Sequence, residues 1–306
     1  MNGVLIIDKP AGWTSHDVVS RVRKLVSERS VGHLGTLDPM ATGVLPLVLG
    51  KFTRLAQFYL DAEKTYEGCI RFGYSTDTYD AEGEPSSATI AVCFTSDDLN
   101  REAAKFEGRI PQIPPPFSAK KVKGVPAYKL AHANRPVELK PVEITVQRLD
   151  IQNFDPVSGM ANFIVQVSAG TYVRSIAHDL GKALGCGAHL ASLRRIRSGD
   201  FALDHAVTLD SLADAADKIS IQNLMLPLKS LLPQIPTVTV NEEQMSRIRH
   251  GNSVNLLELS GSSMVKVFDQ QGGLVAMASR IAGTLFQPKV VLCEQPEHGG
   301  HNINVR

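Results

Sequence analysis

No apolar run in this 306-residue chain approaches the roughly 20 residues that a helix needs to cross a bilayer. Cysteine is scarce and dispersed. Cys69, Cys93, Cys186 and Cys293 form no C-x-x-C pair and have no zinc-site spacing. A disulfide framework and a bound metal are therefore not expected, and scattered thiols point to a reducing cytoplasm. The start, Met1 to Asp8, is too short and too soon charged for a secretory signal. Low-complexity tracts are absent, and so is charge of one sign: the formal net charge is only +1. What remains is an ordinary globular composition, 43% hydrophobic and 21% charged, with length enough for one large domain or two.

The charge is unevenly placed. Residues 101–140 hold nine Lys or Arg against three acids, a local balance of +6. Arg194, Arg195 and Arg197 form a second cluster. Clustered cations can supply phosphate contacts even when acids elsewhere cancel the sum. A solvated face is the alternative reading of either cluster.

Gly32-His33-Leu34-Gly35-Thr36-Leu37-Asp38-Pro39-Met40-Ala41-Thr42-Gly43 is the most specific stretch of the chain. Its glycines permit backbone angles that other residues avoid. Pro39 biases Asp38 toward an extended conformation. The segment thus reads as a shaped loop that presents a carboxylate, the setting in which binding and catalytic groups are often found. An isolated Asp-Pro would be read as a turn; the ordered twelve-residue run says more.

That run resembles the G-H-x-G-x-L-D-P-x-A-T-G motif of the TruB family of RNA pseudouridine synthases. The resemblance continues in family order. Lys9-Pro10-Ala11-Gly12-Trp13-Thr14-Ser15 is similar to K-P-x-G-x-T-S, and Lys64-Thr65-Tyr66 to K-x-Y. Gly170-Thr171-Tyr172-Val173-Arg174 is similar to G-T-Y-x-R, and Leu193-Arg194-Arg195 to L-R-R. Pro114 to Gly124 resembles P-P-x-Y-S-A-x-K-x-x-G, with Phe117 where tyrosine is usual; the ring is kept and a hydroxyl lost.

The resemblance implies that Asp38 is the catalytic nucleophile, paired with Arg174, with Tyr66 against the target base. It implies that His33 helps displace the uridine, and that Tyr172 and Leu193 complete the pocket walls. Lys9 and Asp80 are weaker candidates, and Lys9 reads as a brace for the active-site loop. Phe117, Lys120, Lys121, Lys123, Arg194 and Arg195 are the candidates for gripping RNA. Residue by residue, plainer readings stay open: a core tyrosine, a core leucine, a structural ion pair, a histidine that shapes its own loop.

The coarse pattern is α+β with a mixed, mainly antiparallel sheet. Val4–Ile7, Val44–Leu49, Tyr66–Phe72, Val142–Leu149 and Asn162–Val167 read as strands. Ser15 reads as the N-cap of a helix carrying Val18, Val19, Val22, Leu25 and Val26. Leu55–Leu60, Asp97–Phe106 and Val173–Leu184 also read as helical. Gln112–Lys123, with Pro114, Pro115 and Pro116, is a stiff basic loop able to grip a nucleic-acid backbone. The prolines at 233 and 236 suggest a boundary, giving a catalytic domain at 1–233, with its basic insertion near 101–140, and a second domain at 234–306. Short β-like runs with glycine turns in the second suggest a small barrel, PUA-like by the resemblance. The tail from Glu297 reads as loose.

A carboxylate suits the implied chemistry because it can attack as a nucleophile, at C1′ of the ribose or at C6 of the base. It must be ionised, and a cation beside it favours that form. The target uridine must leave its stack, at a cost of a few kcal/mol. The leading expectation is isomerisation of uridine 55 in the T loop of tRNA by a cytoplasmic monomer, with no cofactor, metal, membrane or protein partner. Two alternatives stand beside it: a guide-RNA-dependent synthase of the same superfamily, and an RNA-binding or RNA-folding protein with incidental catalysis. The short lead-in before Lys9 and the weakly charged final residues favour the first over the guide-dependent relative. A metal-dependent hydrolase lacks a convincing ligand cluster.

Overall fold

The computed structural model describes residues 1–118, 120–122, 125–126, 139–215 and 217–293, with only the backbone described at 121–122 and 125–126. Strands β1 (Gly3–Lys9), β2 (Val31–His33), β3 (Thr42–Leu49), β4 (Lys64–Phe72) and β5 (Gly108–Gln112) come first. Two short pieces follow, β6 (Lys121–Val122) and β7 (Val125–Pro126), then β8 (Val142–Asp155), β9 (Met160–Val167), β10 (Ala188–Ser198) and β11 (Phe201–Ala202). The large sheet runs β1-β3-β10-β4-β9-β8-β5, with β2 also on β3 and β11 also on β10. Its pairings are antiparallel except β3 with β10, so it is mixed and mainly antiparallel as expected.

Strand alternation explains why β1 and β3 read as unbroken apolar runs. Leu5, Ile7, Leu45, Leu47 and Leu49 enter one core with the helices Ser15–Leu25, Ser96–Ala104 and Val173–Ala183. Val4, Ile6, Val44 and Val48 point the other way, into a core with Phe52 and Leu55 of a 3-10 helix (Gly50–Tyr59). Phe268, Leu274, Met277 and Val290 of the C-terminal sheet complete that second core. A strand covered on both faces has no use for a polar side. Each such side chain, fully buried, contributes about 1.5–3 kcal/mol of transfer free energy.

The C-terminal sheet comprises β12 (Thr237–Thr239), β13 (Val254–Asn255), β14 (Met264–Phe268), β15 (Leu274–Ala282) and β16 (Leu285–Val291). Its order is β12-β14-β15-β16-β13. The expected barrel is a curled half-barrel, because its edge strands β12 and β13 pair with other strands but not with each other. Lys266, 2% exposed, donates to the carbonyls of Leu231 (2.7 Å) and Lys229 (3.2 Å) and so pins the preceding linker to the sheet.

Three local expectations are changed or made more specific. Thr14, not Ser15, caps the first helix: Asp17 N donates to Thr14 Oγ1 (3.1 Å) and Thr14 N to Asp17 Oδ2 (3.0 Å), a capping box. Ser15 lies one residue inside and is spent elsewhere. The segment around Leu55 is helical as read, in the 3-10 form. The third change is β10: residues 188–198, read only as a charged motif, form a central strand between β3 and β4. No helix among the described residues is long and apolar enough to cross a membrane.

Candidate active site

Asp38 lies in the loop between β2 and β3, and nearly every residue of that loop is tied down. Leu34 N donates to Pro46 O (2.9 Å), Leu37 N to Ser15 Oγ (2.8 Å), and Ala41 N to Asp38 O (3.1 Å). Ser15 Oγ donates in turn to Leu37 O (3.1 Å), while the side chains of Leu37 and Ala41 are core residues. Gly12 N reaches Pro39 O (2.9 Å). Gly43, at φ +96°, closes the loop against β10: a Cβ there would lie 2.2 Å from Arg195 O, so only glycine fits the β3–β10 pairing.

Two buried cations brace the same loop. Lys9, with no exposure, donates from Nζ to the carbonyls of Trp13 (2.6 Å), Pro10 (2.9 Å) and Pro39 (3.1 Å), as the sequence suggested. Three acceptors match the three protons of an ammonium. Arg195, 1% exposed, donates from Nε to Val44 O (2.7 Å), from NH2 to Gly35 O (3.0 Å) and weakly from NH1 to Thr36 O (3.5 Å).

Burial lowers the pKa of Lys9 to about 8, against the partial opposition of Asp38 and Glu82. Between that value and the ordinary 10.5 the unfolded chain holds a proton that the folded chain has released. Stability contributed at this site therefore rises with pH across that window, and the cost of burying the charge is fully present below it. Lys9→Met removes the titration, so urea unfolding at pH 8 and pH 10 is expected to give a flatter pH dependence in the variant than in the wild type. Equal slopes in both would contradict the assignment.

Arg174 is the second residue of the helix Val173–Ala183 and is 5% exposed. The turn before it is clamped from β5: Tyr172 N donates to Gln112 Oε1 (2.8 Å), and Gln112 Nε2 donates to Tyr172 O (3.0 Å). The Arg174 guanidinium grips Asp38 with two nitrogens. NH2 donates to Oδ1 at 3.1 Å, and Nε faces Oδ2 at 2.8 Å, an ion-pair contact out of line for a full hydrogen bond. NH1 donates to Thr78 O (3.0 Å) and pairs with Asp80 Oδ2 (3.3 Å); NH2 also donates to Phe117 O (3.1 Å). Asp80 is 3% exposed, whereas the Asp38 side chain is 35% exposed. A fixed buried cation thus presents one accessible carboxylate, the arrangement a nucleophile needs.

Tyr66 and Leu193, each 8% exposed, lie in the core cluster that also holds Leu37 and Val173, the sequence neighbours of the ion pair. Tyr172 is half-buried, and burial, then the Asp38 charge, pushes its phenol pKa up. His33 ends β2 half-buried; its Nδ1 accepts a long bond from Gly35 N (3.4 Å). Burial, with Arg195 and His16 nearby, lowers its pKa and keeps the ring neutral at pH 7.

Of the second basic cluster, Arg197 is exposed, while Arg194 and Arg195 are engaged within the protein. Arg195 is buried and committed to loop carbonyls, so it offers nothing to a phosphate. Arg194 pairs with Asp8 (2.7 Å) and approaches Glu67 (4.0 Å), which matches its charge already. Both belong to a central strand; there the buried charge of Arg195 must be satisfied internally, while the Arg194 side chain keeps 31% exposure. Of the basic loop, Lys120 is exposed, and only the backbone of Lys121 is described. Lys123 and the tail from Glu297 lie outside the described residues. Gln112 was not foreseen, and nothing in its neighbourhood beyond the prolines marked it.

The sequence comparisons decide the family. The model of the TruB family pseudouridylate synthase N-terminal domain matches residues 23–173, and that of the tRNA pseudouridylate synthase B C-terminal domain matches residues 174–233. A protein of Solibacter usitatus named tRNA pseudouridine synthase B is 47% identical over 295 residues, 95% of this chain and all of the relative. This chain belongs to the TruB family.

A second relative of the same name, from Aquifex aeolicus, is 40% identical over 88% of this chain and 92% of its own. Among solved structures, a chain of a Cbf5-Nop10-Gar1 complex superposes with a TM-score of 0.70 at 26% identity, covering 96% of this chain and 85% of that one. That superposition takes in nearly the whole chain, within which Asp38 and Arg174, 136 residues apart in sequence, are in contact.

Proposed function

We propose that this TruB protein converts uridine to pseudouridine at position 55 in the T loop of tRNA, with Asp38 as the nucleophile. The observation that carries the reading is the Asp38–Arg174 pair: an accessible carboxylate held by two guanidinium nitrogens of a buried arginine. The reaction is an isomerisation, so no net atom is gained or lost. The N1–C1′ bond breaks, the uracil turns, and C5 bonds to C1′; C5 releases its proton and N1 acquires one. Asp38 attacks C1′ or C6 to open this sequence and is regenerated at its end.

The other site residues take supporting parts. Tyr66 packs against the flipped base, where stacking is worth about 1–3 kcal/mol, and its hydroxyl can relay the C5 proton. Tyr172 and Leu193 form pocket walls. His33, neutral and planar on the same loop as Asp38, fills the place the uridine leaves. Phe117 and the lysines at 120, 121 and 123 grip the RNA outside the pocket, and the domain at 234–306 helps hold it. The protein acts in the cytoplasm as a monomer, a setting its four free thiols suit.

A guide-dependent synthase is the second reading, favoured only by the Cbf5 superposition. The 40–47% identity to relatives named tRNA pseudouridine synthase B, against 26% to the Cbf5 chain, supports the stand-alone enzyme. An unmodified T-arm stem-loop, incubated with the purified protein and no other component, separates the two. The stem-loop is expected to acquire one pseudouridine; modification only after guide RNA or partner proteins are added would overturn the stand-alone reading.

A further inference from the structure

The Arg174 guanidinium takes two of its acceptors from one turn, Thr78 O and the Asp80 carboxylate. Whatever fixes that turn fixes Arg174, and through it Asp38. Part of the answer is internal. Thr78 Oγ1 donates to Asp80 Oδ1 (2.6 Å), Glu82 N donates to the same oxygen (3.1 Å), and Thr76 Oγ1 donates to Asp80 O (2.7 Å). Part comes from β10, where Leu190 N donates to Tyr79 O (3.0 Å) and Ala81 N to Leu190 O (3.0 Å).

The residue between those two acceptors is held against its own preference. Tyr79 has φ +66°, in the left-handed region that a bulky aromatic residue avoids. Its ring lies flat on His178, with centroids 3.7 Å apart and planes 13° from parallel. His178 sits four residues after Arg174 on the helix Val173–Ala183 and therefore on the same face. One turn of that helix binds residues 78 and 80 through a guanidinium; the next covers residue 79 with a ring. His178 Nδ1 is buried without a hydrogen bond among the described residues, so the ring is placed by packing rather than by polar contacts. Burial, then Lys182, lowers its pKa, which leaves a neutral ring against the phenol at pH 7.

We propose that Tyr79 and His178 are positioning residues: their stack holds the turn at 78–80 in the left-handed form that aims Thr78 O and Asp80 at Arg174, and so sets the geometry of Asp38. The inference rests on the function proposed above, but its structural half can be read without turnover. The test uses His178→Ala and Tyr79→Gly, which remove the stack, beside His178→Phe and Tyr79→Phe, which keep two rings. Tyr79→Gly is informative because glycine can still adopt the positive φ, but with the stack gone nothing selects it over the other conformations glycine allows.

The first readout is the Nε–H resonance of Arg174 in full-length protein carrying ¹⁵N-arginine, assigned by its absence in Arg174→Lys. It is expected to shift or broaden in the two stack-removing variants and to stay in place in the two phenylalanine variants. The second is kinetics with tRNA. The stack-removing variants are expected to lose about 10- to 100-fold in kcat, with KM changed by less than about twofold, and the phenylalanine variants to recover most of the rate. An unmoved Arg174 resonance with wild-type kcat in folded His178→Ala and Tyr79→Gly would overturn the proposal. If either fails to fold, His178→Gln and Tyr79→Leu, which keep volume without two facing rings, carry the same expectations. A wild-type protein inactive on tRNA would instead sink the proposed function, and the resonance would still decide the stack.

Discussion

Asp38→Asn is expected to lower kcat by about 10⁴-fold or more while tRNA binds with nearly unchanged affinity. The amide keeps the shape of the carboxylate and loses its charge and nucleophilicity. Folding should survive, because the Arg174 guanidinium keeps Asp80 as a carboxylate partner. The Asp38 side chain is also 35% exposed, so the stability lost should fall short of the about 3–5 kcal/mol that breaking a buried pair costs. The measurement is single-turnover pseudouridine formation beside a filter-binding titration. Turnover near the wild-type rate would remove Asp38 from its assigned place.

Arg174→Lys is expected to be the second most damaging change, with kcat down about 10²-fold at saturating tRNA and KM little altered. Charge is preserved, so any account based on charge alone predicts a mild effect. Geometry predicts otherwise. The guanidinium touches Asp38 through two nitrogens while a third holds Thr78 O and Asp80, and an ammonium cannot span that set. The carboxylate of Asp38 would then lose its fixed orientation although a cation remains nearby. A loss confined to KM would mean that Arg174 serves RNA binding instead.

Much of this site was legible before any fold was in view, because its parts lie in the short motifs that carry the family resemblance. Asp38, Arg174 and Gly43 are of that kind. So is Lys9, read as a brace for the loop, whose ammonium donates to three carbonyls around it. β1 and β3 were legible as strands because burial on both faces left continuous apolar runs.

The misreadings share a cause. Arg194 and Arg195 look, beside the exposed Arg197, like part of a surface cluster in a linear chain. The strand β10 that carries them has no clean alternation, because its register on β4 shifts between Leu190 and Ser192 and between Arg195 and Arg197, and its buried arginine is satisfied by carbonyls distant in sequence: Gly35, Thr36 and Val44. Ser15 was read as a cap for similar reasons. Its hydroxyl turned out to serve Leu37, twenty-two residues away, while its neighbour Thr14 did the capping. Gln112 and the Tyr79–His178 stack were invisible for the same reason: each acts on a partner brought near only by tertiary packing.

The central claim is that this chain, alone, makes pseudouridine in tRNA through Asp38. The most direct test incubates purified protein with an unmodified full-length tRNA transcript and maps pseudouridine along it at single-nucleotide resolution. The account predicts one new pseudouridine, at position 55 of the T loop, and none with Asp38→Asn. A transcript left unmodified by the wild-type protein, or modified only at another position, would contradict it.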